Sequence, residues 1–189
     1  MMRTARALLP FLLLPVLVTG CGTDDEGGTR DTRPGAAADA SGLDAAARAW
    51  GVAPELVRIT DVHGFTVEPQ SVGAYGHGGF AAVYRSDTGT ARFGLFGERG
   101  TLTAQSCPRQ PLVDGSDERV TCERDGDAWY RKAGDHHEYA VPADGVLIRL
   151  SADVDKVGRA TLRKAAESAH RPDPAELAEL LPAAQGADT

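Results

Sequence analysis

The sequence predicts an α+β fold: an antiparallel β-meander sheet of about 6–8 strands, with N-terminal and C-terminal helices packed on one face. Three observations predict it. Apolar residues recur at helical spacing near both ends of the folded part, they alternate in the middle, and turn residues separate the alternating runs at short intervals. Loops that short join antiparallel neighbours, because a parallel crossover needs a dozen residues or more.

The elements follow in order. Ser41 can cap a first helix with Asp44 three positions on, and Leu43, Ala46, Ala47 and Trp50 make its apolar stripe before Gly51 stops it. Val57 and Ile59 suggest a strand ahead of His63-Gly64. Phe80, Ala82 and Tyr84 alternate, Asp87-Thr88-Gly89 reads as a hairpin loop, and Ala91, Phe93 and Leu95 continue the alternation on the way back. Glu98-Arg99-Gly100 reads as a turn into a further strand over 101–106. Val120–Glu123 and Ala128–Lys132 flank Asp125-Gly126, the dipeptide suited to a type I′ turn, and His137–Val141 and Val146–Leu150 flank the turn residues Pro142-Ala143-Asp144-Gly145. Leu162, Ala165, Ala166 and Ala169 form a second helical stripe. Asp173-Pro174-Ala175-Glu176 is a capped start for a last helix whose apolar face is Leu177, Leu180 and Leu181. With the helices on one face, the other face of the sheet is left to solvent, where a ligand could bind.

The chain has 189 residues, is 42% hydrophobic and 25% charged, and shows no internal repeat, so a single domain over 43–182 is expected, followed by a disordered tail at 183–189. The net charge is −7, and the chain has no long basic stripe. That surface repels nucleic acid and anionic lipid headgroups, which excludes a nucleic-acid binder.

The N-terminus has its own logic. Arg3 and Arg6 precede an apolar run, Ala7–Val18, broken by Pro10 and Pro15. The run is shorter than the ~20 residues a membrane-spanning helix needs and has the layout of a secretory leader, taken as residues 1–20. The segment 22–42 contains no aromatic residue and no aliphatic one larger than Ala, so it cannot bury enough apolar surface to order itself and reads as a tether.

Val18-Thr19-Gly20-Cys21 resembles the lipobox of bacterial lipoproteins. The resemblance implies that Cys21 receives a diacylglyceryl thioether and that signal peptidase II cuts before it. The domain would then be lipid-anchored to the cell membrane on its extracytoplasmic side. Two acyl chains hold stably where one binds only marginally. The alternative is an ordinary secretory signal with Cys21 a free thiol. Leader, tether and small domain together resemble the predicted membrane lipoproteins of actinobacteria. The excess of Arg over Lys and the lack of Asn fit a GC-rich genome.

Setting Cys21 aside leaves Cys107 and Cys122, an even pair that an oxidising compartment would bridge. Closing a loop of about 15 residues contributes roughly 3 kcal/mol in the chain-entropy model. The spacing is not that of a metal or redox pair.

No complete catalytic set stands out. Adjacent histidines on a strand point to opposite faces, so His136-His137-Glu138 cannot place both imidazoles on one metal and is expected to be a solvated strand end. The glycine-rich run Gly73–Gly79, with His77, could cradle an anion but is expected to be a flexible surface loop. Neither G-x-S-x-G nor S-x-x-K occurs. Asp125/Asp127 and Asp153/Asp155 suit turns and a helix start. Trp129-Tyr130 should send one ring inward and the other outward, in a half-buried packing role. The expectation is therefore a membrane-anchored extracytoplasmic lipoprotein whose domain binds an envelope protein or glycan without catalysis, with no cofactor and no metal. The alternatives are a hydrolase-like envelope enzyme using His77 or His137 as a base, and a regulatory lipoprotein acting on a membrane sensor.

Overall fold

The computed structural model describes residues 34–114 and 118–180, with side chains from 41 onward. The expectations for Cys21, for the leader, for the tether up to 33 and for 181–189 lie outside the described residues. Three helices and eight strands are present among those described: α1 (Pro34–Trp50), β1 (Phe65–Val67), β2 (Gly73–Tyr75), β3 (Gly79–Ser86), β4 (Arg92–Arg99), β5 (Thr121–Asp125), β6 (Ala128–Ala133), β7 (His136–Ala143), β8 (Val146–Asp153), α2 (Arg159–Ser168) and α3 (Pro174–Leu180). All strand pairs are antiparallel, in one sheet ordered β1-β3-β4-β8-β7-β6-β5, with β2 also paired to β3. The α+β class holds.

The strand order is not a simple meander. After β4 the chain leaves the middle of the sheet, starts again at the far edge with β5, and returns through β6 and β7 to lay β8 against β4. Four strand spacings of about 4.8 Å separate β4 from β5, roughly 19 Å, and the described parts of the connection, 100–114 and 118–120, lie over one face of the sheet.

The helices cover the opposite face. Phe80, Ala82 and Tyr84 of β3, Phe93 and Leu95 of β4, Tyr139 of β7 and Ile148, Leu150 and Ala152 of β8 share one core with Leu43, Ala46 and Ala47 of α1, Leu162, Ala165 and Ala166 of α2, and Leu177 and Leu180 of α3. The predicted alternation of β3 and β4 is thus the core face. The capping box of α3 forms as expected: the Glu176 amide donates to Asp173 Oδ1 at 2.9 Å and the Asp173 amide to Glu176 Oε2 at 2.8 Å.

Several local expectations need correction. Helix α1 starts at Pro34, so Ser41 lies within it rather than capping it, and 34–42 is helix rather than tether. Val57 and Ile59 are buried but do not form a strand. Pro54 opens a 3-10 turn through Leu56, and Ile59 makes a single bridge to His170. The strands β1 and β2 were not expected, and β2 takes up Gly73–Tyr75 of the supposed flexible loop. Glu98 and Arg99 stay in β4 because they still pair with Leu147 and Val146 of β8. Residues 101–106 are not a strand. Thr103 and Ser106 capture the backbone in a local turn, with the Ser106 amide donating to Thr103 Oγ1 at 3.1 Å and the Thr103 amide to Ser106 Oγ at 2.9 Å.

The type I′ turn expected at Asp125-Gly126 is not formed there. Asp125 pairs with Ala128, so the β5–β6 turn is Gly126-Asp127, with positive φ only at Gly126 (62°), the pattern of type II′. Type I′ occurs instead between β7 and β8, where Asp144 (φ 50°) and Gly145 (φ 79°) are both left-handed.

Candidate functional site

The face away from the helices is not left to solvent. The described parts of the strap, 100–114 and 118–120, lie across its β5–β8 half and are tied down in two ways. Cys107 is bonded to Cys122 on β5, as expected. Beneath the strap, three charged side chains from the sheet are buried together: Arg131 of β6, Glu138 of β7 and Arg149 of β8.

Glu138 is the hub. It accepts from Arg149 Nε at 3.0 Å and Nη2 at 2.8 Å, from Arg131 Nη1, and from the Val113 amide of the strap at 3.1 Å. The guanidiniums then reach the strap's carbonyls: Arg131 Nη2 donates to Cys107 O at 3.1 Å and to Gln110 O, and Arg149 Nη2 to Pro111 O at 2.7 Å. Glu98 of β4 adds a second carboxylate, 3.1 Å from Arg149 Nη1, so two positive charges face two negative ones. Burial pushes the Arg131 guanidinium below its ordinary pKa, although Glu138 opposes this. Burial acts on Arg149 too, but Glu138 and Glu98 together outweigh it and hold the group above its ordinary value.

These contacts correct the reading of His136-His137-Glu138 as a solvated strand end. Glu138 is fully buried under the strap. His137 points into the helix-side core, where its Nε2–H donates to Val157 O at 2.8 Å and its Nδ1 accepts from the Tyr130 hydroxyl at 3.1 Å. Burial holds the imidazole below its ordinary pKa, in keeping with this neutral tautomer.

Beyond the strap the same face is open. A groove of about 210 Å³ is lined by Gly94, Phe96, Asp114, His136, Ser151 and Asp153, among others. A Cβ at Gly94 would stand 2.5 Å from the Phe96 ring, so any larger residue here must displace that ring. Phe96 in turn packs against Tyr75 of β2, with ring centroids 4.9 Å apart. His136 sits at register with Asp153. Its Nδ1 is 2.8 Å from Asp135 Oδ1 and its Nε2 is 3.2 Å from Asp153 Oδ1. The Ser151 hydroxyl is buried and has no hydrogen-bond partner among the described residues.

The other sequence candidates scatter. His77 is exposed in the turn between β2 and β3, beside Glu98 and Arg99 rather than in the groove. Asp125 accepts from the Tyr139 hydroxyl at 2.6 Å and from Arg159 at 3.2 Å, and the first of these bonds, helped by the second, holds its pKa low. Asp127 and Asp155 are exposed in turns. Trp129 packs on the strap side with Cys107, and Tyr130 on the helix side under Arg159, whose guanidinium carbon is 4.0 Å from the ring centroid. Both rings are half-buried because both faces of the sheet are covered at this point.

Sequence reasoning missed two constellations: the buried Arg131–Glu138–Arg149 cluster and the Asp135–His136–Asp153 group. The signal was present in the turns. Counting outward from Asp144-Gly145 pairs 136 with 153, and counting outward from Gly134-Asp135 pairs 131 with 138. Among the described residues no helix is long and apolar enough to cross a membrane. The chain matches no family model, no curated protein and no solved structure.

Proposed function

We propose that the protein is a lipoprotein held through Cys21 on the outer side of a cell membrane, and that its α+β domain is a non-catalytic binding module for an envelope protein or glycan. The observation that carries the binding reading is the asymmetry of the strap-side face. One half is clamped by a disulfide and a buried ion cluster. The other half keeps a preformed groove whose wall includes the edge of the Phe96 ring, backed by Tyr75, beside polar groups such as Arg92 and Asp114. An aromatic surface with a few fixed polar groups suits a sugar ring or a peptide, and a rigid scaffold keeps the ordering cost of binding low. The Cys107–Cys122 bridge is in keeping with an exported domain, and the leader Met1–Gly20 supplies the route.

Of the two histidines considered for an enzymatic reading, His137 has both ring nitrogens engaged inside the core, so a base role would fall to His77. Two experiments test the proposal. Cys21→Ser should release the product from the membrane fraction, and retention by lipid would overturn the anchor. In thermal-shift screening against envelope glycans and peptides, at least one class should stabilise the native chain and lose its effect in Phe96→Ala. No response from any class, together with turnover of a hydrolase substrate, would overturn the binding module.

A further inference from the structure

We propose that His136 and Asp153, with Asp135 as the orienting partner, form a site for one divalent transition-metal ion at the end of the open groove. The inference goes beyond the binding-module reading and does not rest on it.

His136 Nε2 and Asp153 Oδ1 are 3.2 Å apart. Two ligands bonded to one ion at about 2.0–2.1 Å in a tetrahedral shell stand roughly 3.3–3.4 Å apart, so an ion fits between them with little movement. His136 Nδ1 faces Asp135 Oδ1 at 2.8 Å. That is the carboxylate–histidine–metal arrangement, in which the outer carboxylate fixes the tautomer that leaves Nε2 free to ligate. The Nε2 lone pair forms the metal–nitrogen bond, while the Nδ1 proton stays in the hydrogen bond to Asp135. Ligand atoms of all three residues lie within 4.8 Å of one another, so the orienting and the ligating carboxylate flank the same imidazole.

The backbone holds these groups in place. His136 and Asp153 are register partners across β7 and β8, and the Val154 amide donates to Asp135 O at 2.8 Å, tying the β6–β7 turn to the end of β8. The side chains of His136 and Asp153 are 28% and 48% exposed, so an ion can reach them from solvent.

An independent observation points to a ligand. Ser151 precedes Asp153 by two residues on the same face and lines the same groove. It is 1% exposed, and its hydroxyl has no partner among the described residues. A buried hydroxyl without a hydrogen bond is unfavourable, and a polar group bound at this end of the groove would relieve it. One imidazole with carboxylates suits Zn²⁺, Co²⁺ or Ni²⁺, whereas Ca²⁺ and Mg²⁺ prefer all-oxygen shells.

The test is calorimetric titration of ZnCl₂ into the full chain, made without a histidine tag and solubilised in detergent, supported by the absorption spectrum of the Co²⁺ form. The expected result is one ion per chain, bound in the micromolar range, with a tetrahedral Co²⁺ spectrum. His136→Gln and Asp153→Asn should abolish binding while leaving the circular dichroism unchanged. Asp135→Asn should weaken it by about 10–100-fold. His77→Gln and His170→Gln should bind as the parent does. No heat at 1 mM Zn²⁺, undiminished binding in both His136→Gln and Asp153→Asn, or Ca²⁺ affinity equal to that for Zn²⁺ would overturn the proposal. In the first of these cases the three residues are a surface ion-paired histidine and nothing more.

Discussion

Replacing Glu138 by Gln removes one charge and almost no volume, and the structure makes the consequence large. The carboxylate is fully buried and accepts from Arg131, from Arg149 and from the Val113 amide. An amide in its place offers one oxygen and presents its NH₂ to a guanidinium. Two buried positive charges then remain with only the half-buried Glu98 to answer them. Breaking a buried ion pair from one side typically costs about 3–5 kcal/mol, because the remaining charge stays desolvated. For a domain of this length 1 kcal/mol shifts the melting temperature by about 3–4 °C, so Glu138→Gln should melt roughly 10–20 °C lower. Differential scanning calorimetry under non-reducing conditions measures it. The control is the combined Arg131→Met, Glu138→Leu, Arg149→Met variant, in which no charge is stranded and whose stability should match or exceed that of the parent. A loss below about 1 kcal/mol for Glu138→Gln would show the cluster to be hydrated and the strap loosely seated, and would refute the account of this face.

Other outcomes follow from single contacts. Gly97 of β4 lies under the 3-10 turn Pro54–Leu56, and a Cβ there would collide with the Leu56 carbonyl oxygen. Gly97→Ala should therefore lose about 1–3 kcal/mol in urea denaturation, as overpacked sites do. Asp173→Ala removes one half of the α3 capping box and should cost about 1 kcal/mol by the same assay. The two titrating histidines act in opposite directions. The folded-state pKa of His137 is depressed by burial, so its contribution is intact above its unfolded value of about 6.5 and is lost as pH falls. The pKa of His170 is raised, first by its bond to Ser168 O and then by Glu176. Its contribution is full below about pH 6.5 and is lost as pH rises through the folded value. Urea midpoints between pH 5 and 8 should show His137→Phe flattening the acid side and His170→Ala the alkaline side.

Much of the fold could be read from local pattern. The alternation of Phe80, Ala82 and Tyr84 identifies a core-facing strand because a pleated backbone sends every second side chain to the same face. The start of α3 is readable because a capping box is a short-range device of three successive intervals. β8 shows where that reading weakens. Residues 146–152 are all buried, since helices cover one face and the strap the other, and a strand buried twice loses its alternation. Arg149 and Ser151 in that run gave no sign of lying inside the molecule.

The sequence by itself determined the local matters: the class, most strands, two of the helix faces, the pairing of the two domain cysteines, and the lipobox-like leader that motivates the proposed anchor. Those depend on neighbours a few residues apart, on turn chemistry, or on there being one pair to join. Only the tertiary structure decided that β5 begins at the far edge of the sheet. From that placement come the crossing strap, the burial of Arg131, Glu138 and Arg149 beneath it, and the meeting of Asp135, His136 and Asp153 at the end of the open groove. Strand order is settled by which faces bury the most surface across the whole chain, and no window of sequence contains that comparison.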